Sequence, residues 1–270
     1  MTDAARRADQ NANAPLTREA LADVIDLALW AGQLLLQHGA EAERVEETLH
    51  YMATGLGCEW IDVLVSPNVI LVTTSSGVEF RTKVRRVPTL GVDMTRVSAV
   101  NRLSRRVVAG ELDRATVRAE LERISNLKPH YNRWLVVLVV GMACAAFSRL
   151  FGADWPAFAV TWLAASAAMF VRQELARREF NPLLVILATA FVAGVFASTA
   201  GLPGLSATPR LALAASVLLL VPGVPLINAA EDLIKGYLVI GIVRGMVGIL
   251  ISLCIALGLL LAMRLTGAWL

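Results

Sequence analysis

Aromatic side chains make up only 6% of this 270-residue chain and charged ones 17%, with three cysteines and three histidines. Each scarcity closes a route. Cys58, Cys144 and Cys254 are odd in number, far apart and without a CxxC pair or a His-rich cluster, which argues against a disulfide framework or a zinc site. There is no HExxH and no GxSxG, and His38, His50 and His130 are all the histidines, so no nucleophile with its base is specified and no cofactor or metal is expected. The opening MTDAARRADQNANAPLTREA lacks the apolar centre of a signal peptide, so the polar half behind it is expected to stay in the cytoplasm. Residues 1–15, rich in Ala, Asn and Asp, read as a disordered lead.

Apolar residues are plentiful. They reach 56% of the chain, and the mean hydropathy of +0.61 is too high for an ordinary soluble domain. Polarity is unevenly spread: residues 1–133 hold 17 of the 25 Lys and Arg and 17 of the 22 Asp and Glu, leaving 8 and 5 for the rest. The expected fold is an α+β cytoplasmic N-terminal domain over 16–128, followed over 129–270 by an all-α bundle of five transmembrane helices.

In the polar half, Leu21, Val24, Ile25, Ala28, Leu29, Leu35 and Leu36 recur at helical spacing between an N-cap at Thr17 and a stop at Gly39. A second helix is expected from about Ala40 to Leu56 with Gly57 as its cap. Glu43 with Glu47, and Glu46 with His50, stand one turn apart there. That spacing can hold a metal, but with no further histidine at ligand distance it reads as a solvated charged face. Three β-rich runs, 59–65, 68–74 and 78–87, are separated by the turn signals SPN and SSG, and two more helices follow over 92–110 and from Asp113 to about Leu127. Arg81, Lys83, Arg85, Arg86, Arg96, Arg102, Arg105 and Arg106 face a single acid, Asp93, within the stretch 81–106. Such a strip suits anionic headgroups. Nucleic acid is not expected as a partner, since residues 1–133 are neutral as a whole and no aromatic platform interleaves with the arginines.

The apolar half offers five candidate spans, about 134–151, 155–171, 182–201, 211–228 and 238–263. Arg172, Arg177 and Arg178 follow the second span, and Lys235 and Arg244 flank the turn before the fifth. The positive-inside rule then places the N-terminus in the cytoplasm and, after five crossings, the C-terminus outside. Runs such as GMACAAF and FVAGVFA let helix backbones approach closely.

The stretch VPGVPLINAAEDLIKG, 221–236, is unlike the rest of the apolar half. Pro222 and Pro225 each remove a backbone donor, so the fourth helix is expected to break or kink, which lipid permits only where protein or water satisfies the freed carbonyls. Beyond it Asn228, Asp232 and Lys235 fall at i, i+4 and i+7 with Glu231 able to pair with Lys235, and Arg244 lies in or at the mouth of the fifth run. These residues, with Gly223 at the break and Asn181-Pro182 opening the third span, are the expected solute pathway. Asp232, Glu231 and Lys235 are its charge-coupling groups. The competing reading is a short cytoplasmic loop with Arg244 snorkelling to the headgroups.

HGAEAERVEETL (38–49), VRRVP (84–88), GVDMTRVSAVNRLSRRV (91–107), RW (133–134), Phe147 to Gly152, Asn181-Pro182 and above all VPGVPLINAAEDLIKGYLVIGIVRG (221–245) together resemble the threonine/serine exporter family, from about residue 26 to 264. The resemblance implies an exporter of small hydrophilic metabolites, threonine- or serine-like or a dicarboxylate such as succinate, driven by the proton-motive force in the inner membrane. It further implies the split type, which needs a small multi-span membrane partner supplying the second half and assembles as a homo- or hetero-oligomer. A membrane-anchored sensor whose cytoplasmic domain carries the activity is the alternative. A membrane enzyme ranks below both.

Overall fold

A computed structural model describes residues 15–88, 91–127 and 131–267, so the lead expected over 1–15 lies, but for Pro15, outside the described residues. The chain divides into two compact units. One joins the residues up to 127 to Val224–Gly245, and the other joins 131–223 to the residues from Met246 on.

In the first unit, α1 (Arg18–Gln37) starts where the Thr17 hydroxyl accepts from Ala20 N, and α2 (Ala42–Gly55) follows a tight turn. Strands β1 (Trp60–Ser66), β2 (Val69–Ser76) and β3 (Glu79–Arg86) form an antiparallel meander of order β1-β2-β3, with Val72 between Val63 and Lys83. Helices α3 (Met94–Val108) and α4 (Arg114–Ser125) begin at Asp93 and Asp113, whose carboxylates accept first-turn N–H groups. One core runs through the four helices, β1 and β2, with Leu21, Ile25 and Leu35 of α1 packed with Leu49 and Met52 of α2, Ile70 and Val72 of β2, Val100 of α3 and Leu121 of α4. Fully burying side chains of this size contributes about 1.5–3 kcal/mol each.

The basic strip does not form one face. Lys83 pairs with Asp26 of α1, Arg106 with Glu111, and Arg96 turns inward to the α1–α2 turn.

The second unit holds α5 (Arg133–Leu150), α6 (Trp155–Arg177), α7 (Pro182–Ser198, prolonged as a 3-10 turn to Gly201) and α8 (Pro209–Ser216), then a 3-10 turn Leu218–Leu220. Helix α9 is Gly223–Ile234 and α10 is Leu238–Thr266. The helix that holds the expected second span is longer than that span. Helix α6 runs on to Arg177 because Gln173, Glu174, Leu175 and Ala176 are good helix formers, so Arg172 lies within the helix rather than in a loop. The break expected in the fourth span, 211–228, is present: the stretch falls on two helices, α8 and α9.

By length and composition, three helices among the described residues can cross a membrane: Arg133–Leu150, Pro182–Gly201 and Leu238–Thr266. A fourth results if the pieces before and after Pro222 count as one. Helix α6 is not among them, its apolar run being diluted by Trp155-Pro156, Thr161-Trp162 and Arg172. The core of this unit is built of alanines, Ala164, Ala168, Ala190, Ala193 and Ala197 among them. Glycine sets the spacing: a Cβ on Gly258 would lie 2.5 Å from Leu187 O and 2.8 Å from Ala190 Cβ.

Gly258→Ala should therefore push α7 and α10 apart and cost about 1–3 kcal/mol, read as a lower thermal midpoint in detergent. Gly223→Ala, where an added Cβ meets nothing within 4 Å, should leave the midpoint in place.

Candidate functional site

Two prolines interrupt the backbone ladder ahead of the site. Val221 N closes the 3-10 turn on Leu218 O at 3.2 Å, Pro222 has no N–H to give, and Gly223 N turns back to Val221 O at 2.9 Å. Pro225 then stands in the first turn of α9, where a helical N–H has no intrahelical acceptor. The two prolines stop one helix and start another, so nothing forces a kink within α9.

Helix α9 buries Asn228, Ala229 and Asp232 on one face. Lys235 and Gly236 close it: Lys235 N donates to Glu231 O, Gly236 N to Leu233 O and Tyr237 N to Asp232 O, with Gly236 at φ +87°. The reversal sends α10 back along α9, and Gly241 permits the close approach, since a Cβ there would lie 3.0 Å from Ala229 O. Arg244 thus reaches Asp232, Nη1 to Oδ2 at 2.7 Å, with the two residues 8% and 0% exposed.

This pair is seated on the α1–α2 turn of the same unit. Helix α2 starts without a side-chain cap, Glu41 making no such bond. Asp232 Oδ1 accepts Ala42 N at 2.8 Å in its place, so an acid 190 residues away caps the helix and meets the positive end of its dipole. Arg244 Nη2 donates to Ala40 O at 2.7 Å, and Asn228 Nδ2 to Gly39 O at 2.8 Å. Gly39 has φ +92°, the left-handed conformation that presents its carbonyl outward.

The turn is braced from behind. Gly91 N donates to Gln37 O and Asp93 N to His38 O, while Arg96 Nη1 donates to His38 Nε2 at 3.2 Å and Nη2 to Leu127 O at 2.7 Å. An arginine can only donate, so His38 accepts as a neutral ring; burial first and the Arg96 charge second hold its pKa below the usual imidazole value.

Around the rim, Lys235 Nζ bonds Glu231 at 2.6 Å and also meets Glu43, and Tyr237 OH donates to Glu46 at 2.6 Å. Burial and then the Glu46 carboxylate push the Tyr237 phenol well up, so it stays a donor across physiological pH. Glu43, Glu46, Glu47, His50, Tyr51 and Asp62 line an open pocket of about 360 Å³ beside this rim. Among the described residues no three or more His, Cys, Asp or Glu are grouped to hold a metal ion.

Of the expected pathway residues, the structure thus brings Asn228, Asp232 and Arg244 together, with Glu231 and Lys235 at their edge. Pro222 is buried at the break, with Gly223 and Pro225 opening α9. Asn181 is the N-cap of α7 in the second unit, its Oδ1 accepting Leu183 N at 2.9 Å. In the sequence Gly39 and Ala40 read only as a helix stop and a helix start, and Ala42 carried no reading at all. The one available signal was a helix start, Ala-Glu-Ala, with no Ser, Thr, Asp or Asn to cap it.

Asp232→Ala leaves Arg244 buried and unpaired and should cost about 3–5 kcal/mol in denaturant melts, much of it recovered by Asp232→Ala with Arg244→Met. Ala42→Pro tests the cap alone, since proline suits the first helical position but lacks the N–H; about 1.5–3 kcal/mol should be lost. His38 contributes stability above its unfolded pKa of about 6.5 and loses it as pH falls toward its depressed folded value. The thermal midpoint should accordingly drop below about pH 6.5 in the parent and much less in His38→Gln.

Comparison with known proteins places this geometry. The family described as "Putative threonine/serine exporter" matches residues 26–266. A "Probable succinate transporter subunit YjjP" of Klebsiella aerogenes is 37% identical over 90% of this chain and 94% of its own length, and that of Escherichia coli strain K12 is 36% identical over 90% and 95%. A "Threonine/serine exporter" of Corynebacterium glutamicum is 23% identical over 80% of this chain but only 46% of its own length. No solved structure matches the chain. With several apolar helices and no enzyme among these relatives, the chain is a membrane protein that belongs to the threonine/serine exporter family of transporters.

Proposed function

We propose that the protein is one subunit of a secondary transporter that exports small hydrophilic metabolites, threonine- or serine-like amino acids or dicarboxylates such as succinate, under the proton-motive force. The observation that carries this reading is the buried Asp232–Arg244 pair directly after a broken helix, in a chain whose family and relatives are transporters. Burying two charges costs several kcal/mol per ion before their attraction is counted, and hydrophobic residues would fold as well. The pair is kept for what it can exchange.

A zwitterion can replace the pair charge for charge, its carboxylate taking Arg244 and its ammonium taking Asp232, with the amide of Asn228 and the backbone near Gly223 binding its remaining polar groups. A proton arriving on Asp232 removes the ammonium's partner. Proton and solute then compete for one carboxylate, which is the logic of an exporter that exchanges one for the other. Glu231 and Lys235 hold the charge of the rim while this happens. Pro222 and Pro225 keep the break open, and Asn181 anchors the start of α7.

The proposed topology is an inner-membrane protein with five spans, α6 included. Residues 16–128 stand as a cytoplasmic domain ahead of a membrane domain over 129–270, the N-terminus inside and the C-terminus outside. Support for α6 as a span is its 23-residue length between two apolar neighbours. Support for a membrane partner carrying the remaining helices comes from the Corynebacterium exporter, of which this chain matches less than half, and from the word subunit in the names of the two YjjP proteins.

Efflux of threonine, serine and succinate from loaded vesicles, with and without the candidate partner, tests the reading. Asp232→Asn should abolish proton-driven efflux and, with the ammonium's partner gone, threonine and serine exchange as well. Efflux with an unchanged rate and pH dependence in that variant would defeat the mechanism.

A further inference from the structure

Asp232 is fully buried and Arg244 nearly so, and besides each other they hold main-chain groups of the α1–α2 turn, all within the first unit. Ala42 N donates to Asp232 Oδ1 at 2.8 Å, Ala40 O accepts from Arg244 Nη2 at 2.7 Å, and Gly39 O accepts from Asn228 Nδ2 at 2.8 Å. One N–H on the acid, and two oxygens on the cation and the amide, are the polar groups of an amino acid in neutral form. The turn can offer them because Gly39, Ala40 and Ala42 have almost no side chain to keep the backbone away. No solute reaches the pair while the turn sits there.

This contact can open without opening the core of the unit. Among the described residues the α9–α10 hairpin gives that core only Ile240, with Tyr237 packed against it, and the rest comes from the chain up to Leu127. Further contacts across the seam are polar: Lys235 bridges Glu231 and Glu43, and Tyr237 OH donates to Glu46 at 2.6 Å. Water satisfies such groups, and the N–H and carbonyls of the turn, once they part. A permanent joint would not need α2 to lack its own cap. Glu41, at the cap position, turns its carboxylate to Arg44 at 3.0 Å, where an Asp or Ser would cap α2 without any help from α9. The seam borders the open pocket of about 360 Å³, lined by Glu43, Glu46 and Glu47 of α2 and by Tyr237, where a solute can arrive.

We propose that the α1–α2 turn is the gate of the solute site: its backbone holds the solute's place on Asn228, Asp232 and Arg244, and transport requires it to withdraw. The inference rests on the exporter reading and gives the first unit a part in it, that of a reversible plug. The turn offers only neutral groups to two ions. A solute carrying a carboxylate or an ammonium adds an attraction of opposite charges that the turn lacks, so it can displace the turn, and the turn can return when the solute leaves.

Equilibrium binding of radiolabelled threonine and of radiolabelled succinate is measured on the full chain in detergent, for the parent, Ala42→Pro and Tyr237→Phe, with hydrogen exchange followed at the Ala42 amide of the parent. Because turn and solute compete, weakening the hold of the turn should tighten binding. The gain should be about tenfold in Ala42→Pro, which loses the N–H to Asp232, and smaller in Tyr237→Phe, which loses the bond to Glu46. Solute should quicken exchange at Ala42, the reverse of the slowing that a ligand ordinarily brings. A fixed joint that supports the site from outside predicts weaker binding in the variants and slower exchange with solute. The proposal is overturned if either reading stays put or moves that way, and also if none of the three chains binds either acid. Should Ala42→Pro not fold, Tyr237→Phe binding no tighter than the parent overturns it as well. Tighter binding and quicker exchange in a chain that, with its partner, exports neither acid from vesicles would defeat the exporter reading and leave the gate standing. Export with binding unchanged by both substitutions would defeat the gate alone.

Discussion

One carboxylate, on Asp232, joins the two ends of the first unit. It caps α2, neutralises Arg244 and closes α9 on α10 at once, and it is fully buried while doing so. In isolation such a pair is weak support for stability, because desolvation consumes most of what the attraction returns. What it fixes is register. Helix α9 is 12 residues long, too short to hold itself in water, and its apolar surface could slide along α2 at little cost. The Ala42 N–H, the Ala40 carbonyl and the Gly39 carbonyl each bind one partner in one place, so α9 and the start of α10 have a single seat.

The rest of the local architecture depends on that seat. Gly39 must be left-handed to turn its carbonyl toward Asn228, and the turn must be stiff, which His38 and Arg96 ensure from behind. Gly236 must reverse the chain in one residue, and Gly241 must let α10 lie close, or Arg244 would arrive a turn away from its acid. The prolines then have a reason beyond breaking a span. A continuous helix from Pro209 to Ile234 would be straight, and its last turns would keep the heading of its first. Ending it at Leu220 and starting again at Gly223 frees α9 to take a direction set by its own docking.

Much of this was legible in the residues. Thr17 and Asp113 announced two helix starts, and SPN and SSG separated the strands. The polar face of VPGVPLINAAEDLIKG was legible as a candidate site because charge in an apolar run has a cost that local propensity cannot repay. The identity of its partner was not. The atoms that receive Asp232 and Arg244 are backbone groups of Ala42 and Ala40, and a backbone group leaves no mark on composition. The basic stretch 81–106 misled for a related reason. Arg81, Lys83 and Arg85 alternate along β3 and share one face, but Arg86 points to the other and Arg96 turns inward from α3, so a run of like charge in sequence is only partly a run in space.

Two arginines, one in each unit, show how the same cation is held differently. Arg244 is matched by an acid of its own chain, so an incoming anion gains little there unless it brings a positive charge to compensate Asp232. Among the described residues Arg172 is matched only by a carbonyl dipole, which aims its charge without neutralising it.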